Sequence, residues 1–252
     1  PIISDMIFYP MRKKADFIYS TADEIIAVSQ TYAERALKVN RKCKKAYAVF
    51  LGTELSYFDQ LVEENKIDNK PQDEIWLAYV GTLGHSYDLI CVIDALFLLK
   101  GKYNIKFIVM GDGPLKSKFE KYAKEQGVNA YFTGRLDYGK MVGILSSCDI
   151  AVNPISRGAA QSIINKHGDY AAAGLPVLNT QECLEYKELL LEYNVGLNCE
   201  NGDPVDLAEK LSYLCENADL RNAMGQNSRK LAEDKFDREK TYGEILNMLC
   251  VN

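Results

Sequence analysis

Residues 75–84 read IWLAYVGTLG, an apolar run rich in β-branched and aromatic residues that ends in a loop with two glycines. Residues 105–114, IKFIVMGDGP, repeat this order of apolar run and glycine turn. A short apolar run bounded by glycine is typical of a buried strand. A helical pattern follows each turn, and strand, turn and helix in succession form the βα unit of a parallel sheet. The two stretches therefore predict an α/β fold.

The same alternation extends along most of the chain. Apolar runs with β-branched and aromatic residues predict strands at residues 25–29, 46–50, 75–81, 105–111, 130–134, 149–154, 175–179 and 196–199. Helical periodicity predicts helices at residues 89–100, 115–126, 138–147, 169–173, 184–191, 204–215, 219–235 and 237–249. Because right-handed crossovers join parallel strands, we predict a Rossmann-like, doubly wound parallel sheet.

A polar segment at residues 62–73 interrupts the alternation and is interpreted as a linker or long loop. We therefore predict a boundary near residue 70. Residues 1–70 would form a partial N-terminal βα segment with its linker, and residues 71–252 a complete Rossmann-like domain. The sequence begins with Pro1 and not with Met, so we expect it to be part of a longer protein.

Composition excludes several classes of protein. The formal net charge of -5 argues against a nucleic-acid binder, which usually carries a basic surplus. The seven cysteines include no CxxC pair of the kind that zinc or redox sites use. No apolar run approaches the roughly 20 residues that span a bilayer, and the N-terminus lacks the order of a signal peptide. We expect a folded, cytoplasmic domain, and peripheral membrane contact of the full-length protein stays open.

Ligands bind open α/β sheets at the carboxyl ends of the strands. Three consecutive strand ends are rich in glycine: Gly81, Thr82 and Gly84; Gly111, Asp112 and Gly113; Gly134, Arg135 and Leu136. Small residues there let a phosphate or a sugar approach backbone N–H groups and the positive end of a helix dipole. A glycine at one such turn is most often a backbone requirement, but three on consecutive units favour a ligand site.

A fourth candidate region, residues 161–177, follows the predicted strand at 149–154. Lys166 is the only lysine between Lys140 and Lys187, and its ammonium suits a diphosphate. Asp169 would lie one helical turn later, where a carboxylate can accept hydrogen bonds from a ribose diol. The alternative is a surface salt bridge between Lys166 and Asp169, which would contribute little to stability.

Residues 165–177 read NKHGDYAAAGLPV, which resembles the NK…EY-AAG-PV signature of retaining glycosyltransferase family 4, whose members have the GT-B fold. Residues 80–84, 109–114 and 132–136 are similar to further motifs of that family in the same order. No single motif is decisive, but their shared order is specific and covers nearly the whole chain. The resemblance implies that this chain is the C-terminal, donor-binding half of a GT-B fold.

In that family, two Rossmann-like domains face each other across a cleft, one holding a nucleotide-sugar and the other the acceptor. The resemblance thus implies a retaining transferase that moves a sugar from a nucleotide diphosphate donor, UDP-linked by preference, to a glycan or lipid-linked acceptor. The acceptor would bind through an N-terminal domain that is missing here, so the chain alone would not turn over. No metal or other cofactor is expected, because electrostatic stabilisation of the departing diphosphate needs none.

The resemblance also assigns roles to individual residues. Gly134, Arg135 and Leu136 would frame the nucleobase, and Asp169 would bind the ribose hydroxyls. Gln161 would face the donor sugar, and with Lys166 it forms the predicted catalytic pair. The diphosphate would be held by Lys166 and by backbone N–H groups around Ile163, Ile164 and Asn165, and bordered by Gly81, Thr82 and Gly84.

Two departures from the family pattern leave other functions open. The family commonly has two glutamates separated by seven residues, where this chain has Gln161 and Asp169. The Arg and Lys that often follow its first glycine loop are absent from residues 82–88, TLGHSYD, and Lys166 would compensate. The alternatives are a nucleotide-sugar epimerase of the GT-B fold and a non-catalytic nucleotide-sugar-binding domain.

Overall fold

The structure is a computed structural model that describes residues 2–159 and 162–250, with side chains for residues 6–159 and 162–249. Its strands are β1 (Ile26–Ala27), β2 (Tyr47–Ala48), β3 (Ile75–Val80), β4 (Ile105–Met110), β5 (Ala130–Gly134), β6 (Ile150–Asn153), β7 (Val177–Asn179) and β8 (Gly196–Asn198). Its α-helices are α1 (Ile2–Thr21), α2 (Gln30–Leu37), α3 (Leu55–Glu64), α4 (Leu89–Leu98), α5 (Lys116–Gln126), α6 (Tyr138–Leu145), α7 (Asn165–Ala172), α8 (Leu184–Tyr193), α9 (Pro204–Glu216), α10 (Ala218–Leu231) and α11 (Arg238–Cys250). A π-helical turn, Ala232–Phe236, separates α10 from α11.

Six strands form one parallel sheet in the order β5-β4-β3-β6-β7-β8. The chain builds outward from β3 to β5, then returns to the other side of β3 with β6. This reversal makes the carboxyl ends of β3 and β6 a topological switch point, where doubly wound sheets open a crevice for ligands. The predicted Rossmann-like sheet is confirmed.

Successive strand residues point to opposite sides of the sheet, and helices cover both sides. In β3, Leu77 and Tyr79 belong to an apolar cluster with α4, α5 and α9, whereas Trp76 and Ala78 belong to a second cluster with α3, α6 and α7. Such two-sided burial explains why the strands appear in the sequence as nearly continuous apolar runs.

Each predicted strand is present, with ends shifted by at most two residues. The pair β1 and β2 forms a separate two-stranded parallel sheet and does not join the main one. Helices α1, α2 and α3 were not predicted. The predicted helix at 169–173 begins four residues earlier, at Asn165. Its first turn carries Asn165 and His167, two residues of modest helix propensity, so the pattern placed that turn in a loop.

The polar segment at residues 62–73 is not a loop throughout, because α3 continues to Glu64. Leu55, Phe58 and Leu61 of this helix are buried in the cluster that also contains Met141 of α6. The division of the chain near residue 70 stays a prediction. Among the helices of the described residues, none is both long enough and apolar enough to span a bilayer.

The contact between α3 and α6 depends on Gly143. A Cβ atom on Gly143 would lie 2.1 Å from the carbonyl oxygen of Asn65, which follows α3 directly. We expect Gly143→Ala to lower the free energy of unfolding by about 1–3 kcal/mol, since backbone must move to admit the methyl group. Urea unfolding measures this change.

Gly139→Ala in the same helix is the matched control. Its Cβ would meet the movable Asn65 side-chain amide at 3.1 Å, and alanine improves helix propensity by roughly 1 kcal/mol. This variant should be as stable as the original chain or more so. If Gly143→Ala stabilised the chain equally, α3 would not pack on α6 as described.

Candidate functional site

A cavity of about 1000 Å³ opens at the carboxyl ends of β3, β4 and β5. Its lining includes these predicted donor-binding residues: Gly81, Thr82, Gly111, Asp112, Gly113, Arg135 and Leu136. The first three glycine turns are thus brought to one place, as the parallel topology requires. Gly134 ends β5 immediately before Arg135, and Gly84 lies farther along the loop toward α4.

Backbone hydrogen bonds join these turns to one another. The Gly81 N–H donates to the Met110 carbonyl at 3.0 Å, and the Gly111 N–H donates to the Gly134 carbonyl at 3.0 Å. A Cβ atom on Gly111 would lie 1.8 Å from the Gly81 carbonyl oxygen, and one on Gly113 would lie 2.4 Å from that of Leu83. Gly111 and Gly113 therefore have a structural reason to be glycine, apart from any ligand.

The buried Tyr170 side chain of helix α7 lies between the ends of β3 and β6. The Tyr170 hydroxyl accepts a hydrogen bond from the Val80 N–H at 2.9 Å and donates one to the Val152 carbonyl at 3.2 Å. It occupies the point where the ladder between β3 and β6, which pairs Leu77 with Ile150 and Ala78 with Ala151, has ended. This bridge fixes α7 at the switch point.

Lys166, in the first turn of α7, is buried at 7% relative exposure. Its Nζ atom has no hydrogen-bond partner among the described residues. The atom lies 4.2 Å from the ring centroid of Tyr79, 4.1 Å from that of Tyr87, and 2.9 Å from where a Cβ of Gly81 would stand. The alternative of a surface salt bridge with Asp169 is therefore wrong.

Burial without a carboxylate partner lowers the pKa of Lys166 well below its usual value. Removing an ammonium from water costs several kcal/mol unless an opposite charge or hydrogen bonds offset it. Groups with strongly perturbed pKa values in a cleft are typical of functional sites. Lys166 therefore has the features of a group that binds an anionic ligand at the first glycine turn.

Asp169 lies one turn after Lys166, and two hydroxyl groups hold it in place. Its Oδ1 atom accepts hydrogen bonds from Thr53 Oγ1 at 3.0 Å and from the Tyr138 hydroxyl at 2.9 Å. Burial raises the pKa of Asp169, against the opposing effects of these two hydrogen bonds and of Arg238. Among the described residues, none donates a hydrogen bond to Oδ2, which leaves that oxygen for a ligand.

Tyr138 connects the two halves of the site. It lines the large cavity and also a second one of about 440 Å³, whose lining includes Asn165, Asp169 and Arg238. Sequence reasoning missed the residues that fix Lys166 and Asp169: Thr53, Tyr79, Tyr87, Tyr138, Tyr170 and Arg238. Thr53 and Arg238 are remote in sequence from Asp169, and Tyr79 has the pattern of an ordinary core residue in a strand, so no local signal identified them.

The remaining predicted residues of this region differ in their surroundings. Gln161 lies outside the described residues. Ile163 is a buried core residue, and the Ile164 N–H donates to His167 Nδ1 at 3.4 Å, so this N–H already has a partner. Asn165 is exposed and borders the second cavity.

His167 belongs to the structural support of α7. Its buried ring stacks on Tyr186 with centroids 3.5 Å apart, and its Nε2 lies 3.2 Å from Asn153 Nδ2. Burial, and secondarily Lys166, lower the pKa of His167. Across residues 6–159 and 162–249, no three His, Cys, Asp or Glu side chains are placed to hold a metal ion together. Metal-independent transfer stays a prediction.

The family described as glycosyl transferases group 1 matches residues 62–231, more than half of the 252-residue chain. The chain belongs to this family. The match includes the three glycine turns and the region that contains Lys166. The predicted glycosyltransferase relationship is confirmed, while membership of family 4 in particular stays a prediction.

Two relatives match over most of this chain. An uncharacterized glycosyltransferase of Methanocaldococcus jannaschii is 24% identical over 230 residues, which cover 90% of this chain and 58% of the relative. The capsular polysaccharide biosynthesis glycosyltransferase CapM of Staphylococcus aureus is 22% identical over 255 residues, covering 96% and 64%. The chain thus spans less than two thirds of the length of either relative.

A solved structure shows the same fold. HepE of Anabaena, crystallised with UDP and glucose, superimposes with a TM-score of 0.77 at 15% identity, over 96% of this chain and 66% of that chain. This likeness confirms that the chain has the Rossmann-like fold found in GT-B glycosyltransferases.

The Lys166 amine is buried without a hydrogen-bond partner among the described residues, which should lower the stability of the fold. Lys166→Met should raise the free energy of unfolding at pH 7, because methionine fills similar space without an unpaired charge. The folded chain lowers the pKa of Lys166, whereas the ordinary value is 10.5. Between these values the unfolded state binds the extra proton, so the stability of the original chain rises with pH. The advantage of the variant should therefore shrink toward pH 10.5.

Urea unfolding at pH 7 and pH 10 measures both effects. Lys118→Met, at an exposed lysine of α5, is the control and should change stability by less than about 0.5 kcal/mol at either pH. If Lys166→Met destabilised the chain at pH 7, the contacts of the Lys166 side chain in the free protein would outweigh the cost of burying its amine.

Proposed function

We propose that this chain binds a nucleotide diphosphate sugar, UDP-linked, in the crevice between the glycine turns and α7. The observation that carries this proposal is the buried, unpaired Lys166 beside Gly81, with Asp169 one turn away. On this proposal, the whole protein is a retaining glycosyltransferase that transfers the sugar to a glycan or lipid-linked acceptor.

The spacing on α7 suits the two adjoining parts of such a donor. Residues three apart on a helix have Cβ atoms about 5–6 Å apart and face the same side. Lys166 would contact the diphosphate, and the free Oδ2 of Asp169 would accept hydrogen bonds from the ribose hydroxyls. Arg135 and Leu136 would then frame the base at the end of β5.

The proposed chemistry follows from where charge develops. When the bond between the sugar and the diphosphate breaks, negative charge accumulates on the departing diphosphate. A fixed cation in a site shielded from water stabilises that charge more strongly than it would in water. Lys166 would supply it without a metal, and Gln161 would face the donor sugar.

The substrate classes rest on other support. UDP is proposed because the HepE structure contains UDP and glucose. A glycan acceptor is proposed because the name of CapM refers to capsular polysaccharide biosynthesis. Retention of configuration is proposed from the resemblance of residues 165–177 to the family 4 signature.

Calorimetric titration of the chain with UDP and with uridine tests donor binding. Lys166→Met should weaken UDP binding about tenfold or more, the loss of charge-assisted hydrogen bonds of roughly 1.5–3 kcal/mol, and leave uridine binding nearly unchanged. Asp169→Asn should weaken both ligands to a similar extent, because both carry the ribose.

Cys183→Ala, at a partly exposed thiol immediately before α8, is the control and should leave both affinities unchanged. If the original chain bound neither UDP nor any other nucleotide, the proposal would be wrong. An equal loss of affinity in all three variants would indicate damage to the fold instead. Transfer and retention are then tested in the full-length protein, from the anomeric configuration of the product formed from a UDP-sugar.

A further inference from the structure

Two tyrosine rings lie against the buried Lys166 amine. Tyr79 lies in β3 and is completely buried, while Tyr87 lies just before α4 and is partly buried. Their ring centroids are 5.7 Å apart and their planes meet at 70°. The Nζ atom lies within 4.2 Å of both centroids, which is inside the range of a cation–π contact.

Hydrogen bonds fix the Tyr79 ring and the backbone at Tyr87 relative to the first glycine turn. The Tyr79 hydroxyl donates to the Thr82 carbonyl at 2.8 Å and so closes the turn that contains Gly81. The Tyr87 N–H donates to the Gly84 carbonyl at 3.2 Å, and the Asp88 N–H donates to the Pro154 carbonyl at 2.8 Å. Tyr79 and Tyr87 are therefore both tied to the loops at the carboxyl ends of the strands.

Both rings are neutral aromatics, whose faces attract Lys166 in its ammonium form. Burial, and secondarily Tyr170 and Tyr87, raise the pKa of Tyr79, so its hydroxyl stays protonated. A ring face attracts an ammonium electrostatically but accepts no ordinary N–H hydrogen bond. A carboxylate in the same place would occupy the donors of Lys166 and compete with a phosphate.

We propose that Tyr79 and Tyr87 are positioning residues that form an aromatic cage, which holds the Lys166 ammonium against Gly81 with its N–H donors free for the diphosphate of a nucleotide. The inference rests on the proposed function and adds to it how the Lys166 side chain is held in position for the diphosphate. Residues 82–88 contain no Arg or Lys, so the first glycine turn itself supplies no countercharge, and the basic group held beside Gly81 is Lys166. A cage fixes that position before the ligand arrives, which reduces the ordering needed on binding.

Tyr87 is the better residue to test, because Tyr79 is fully buried and its replacement endangers the fold. UDP and uridine are titrated calorimetrically into Tyr87→Leu and Tyr87→Phe, each made in the original chain and in the Lys166→Met background. Tyr87→Leu should weaken UDP binding about fivefold, the equivalent of a cation–π contact of roughly 1 kcal/mol, and leave uridine binding unchanged. Tyr87→Phe keeps the ring and should retain the affinity of the original chain.

In the Lys166→Met background, Tyr87→Leu should have no further effect on UDP binding, since the cage then has no cation to hold. Unchanged UDP binding by Tyr87→Leu would overturn the cage, as would an equal loss for uridine or a full loss in the Lys166→Met background. Thermal unfolding of Tyr87→Leu close to that of Tyr87→Phe excludes a general loss of fold. If the original chain bound no nucleotide, both proposals would fall; if it bound UDP and only the Tyr87 pattern failed, the cage alone would fall.

Discussion

The hydroxyl of Tyr170 spans the two central strands of the sheet where their own pairing ends. It accepts from the Val80 N–H and donates to the Val152 carbonyl, so it gives hydrogen-bond partners to two backbone groups beyond the end of the ladder. Because Tyr170 belongs to α7, the same bridge determines where Lys166 and Asp169 lie. The proposed ligand site therefore depends on a contact that is itself part of the core.

The site also contains a charge that the fold alone does not require. The folded chain buries the Lys166 ammonium without an anionic partner, although a neutral side chain would be easier to accommodate. Asp169 shows a related conflict, since burial raises the pKa of its carboxyl while two hydroxyl groups and Arg238 favour the charged form. Arrangements that reduce stability while creating binding capacity are expected at functional sites and uncommon elsewhere.

The glycine turns illustrate how one residue type can have two explanations. Gly111 and Gly113 let the loops after β3 and β4 approach one another, and that approach forms the floor of the cavity. Gly81 differs, because the atoms nearest to its missing side chain include the Lys166 ammonium as well as the Tyr79 hydroxyl. Sequence reasoning placed all three in a ligand site, and the structure distinguishes those that join loops from the one that faces the cation.

The sequence by itself determined the sheet strands and the positions of the glycine turns, because apolar runs rich in β-branched residues and turn chemistry are local properties of the chain. Its ordered resemblance to a known family also predicted binding roles for Lys166 and Asp169, and these roles stay predictions. The first turn of α7 and the whole of α3 were not predicted, because packing against the sheet and against α6 stabilises those helices more than their own propensities do. Only the tertiary structure brought Thr53, Tyr138 and Arg238 to Asp169 and two tyrosine rings to Lys166, since such contacts join residues that are distant in sequence and leave no periodic signal.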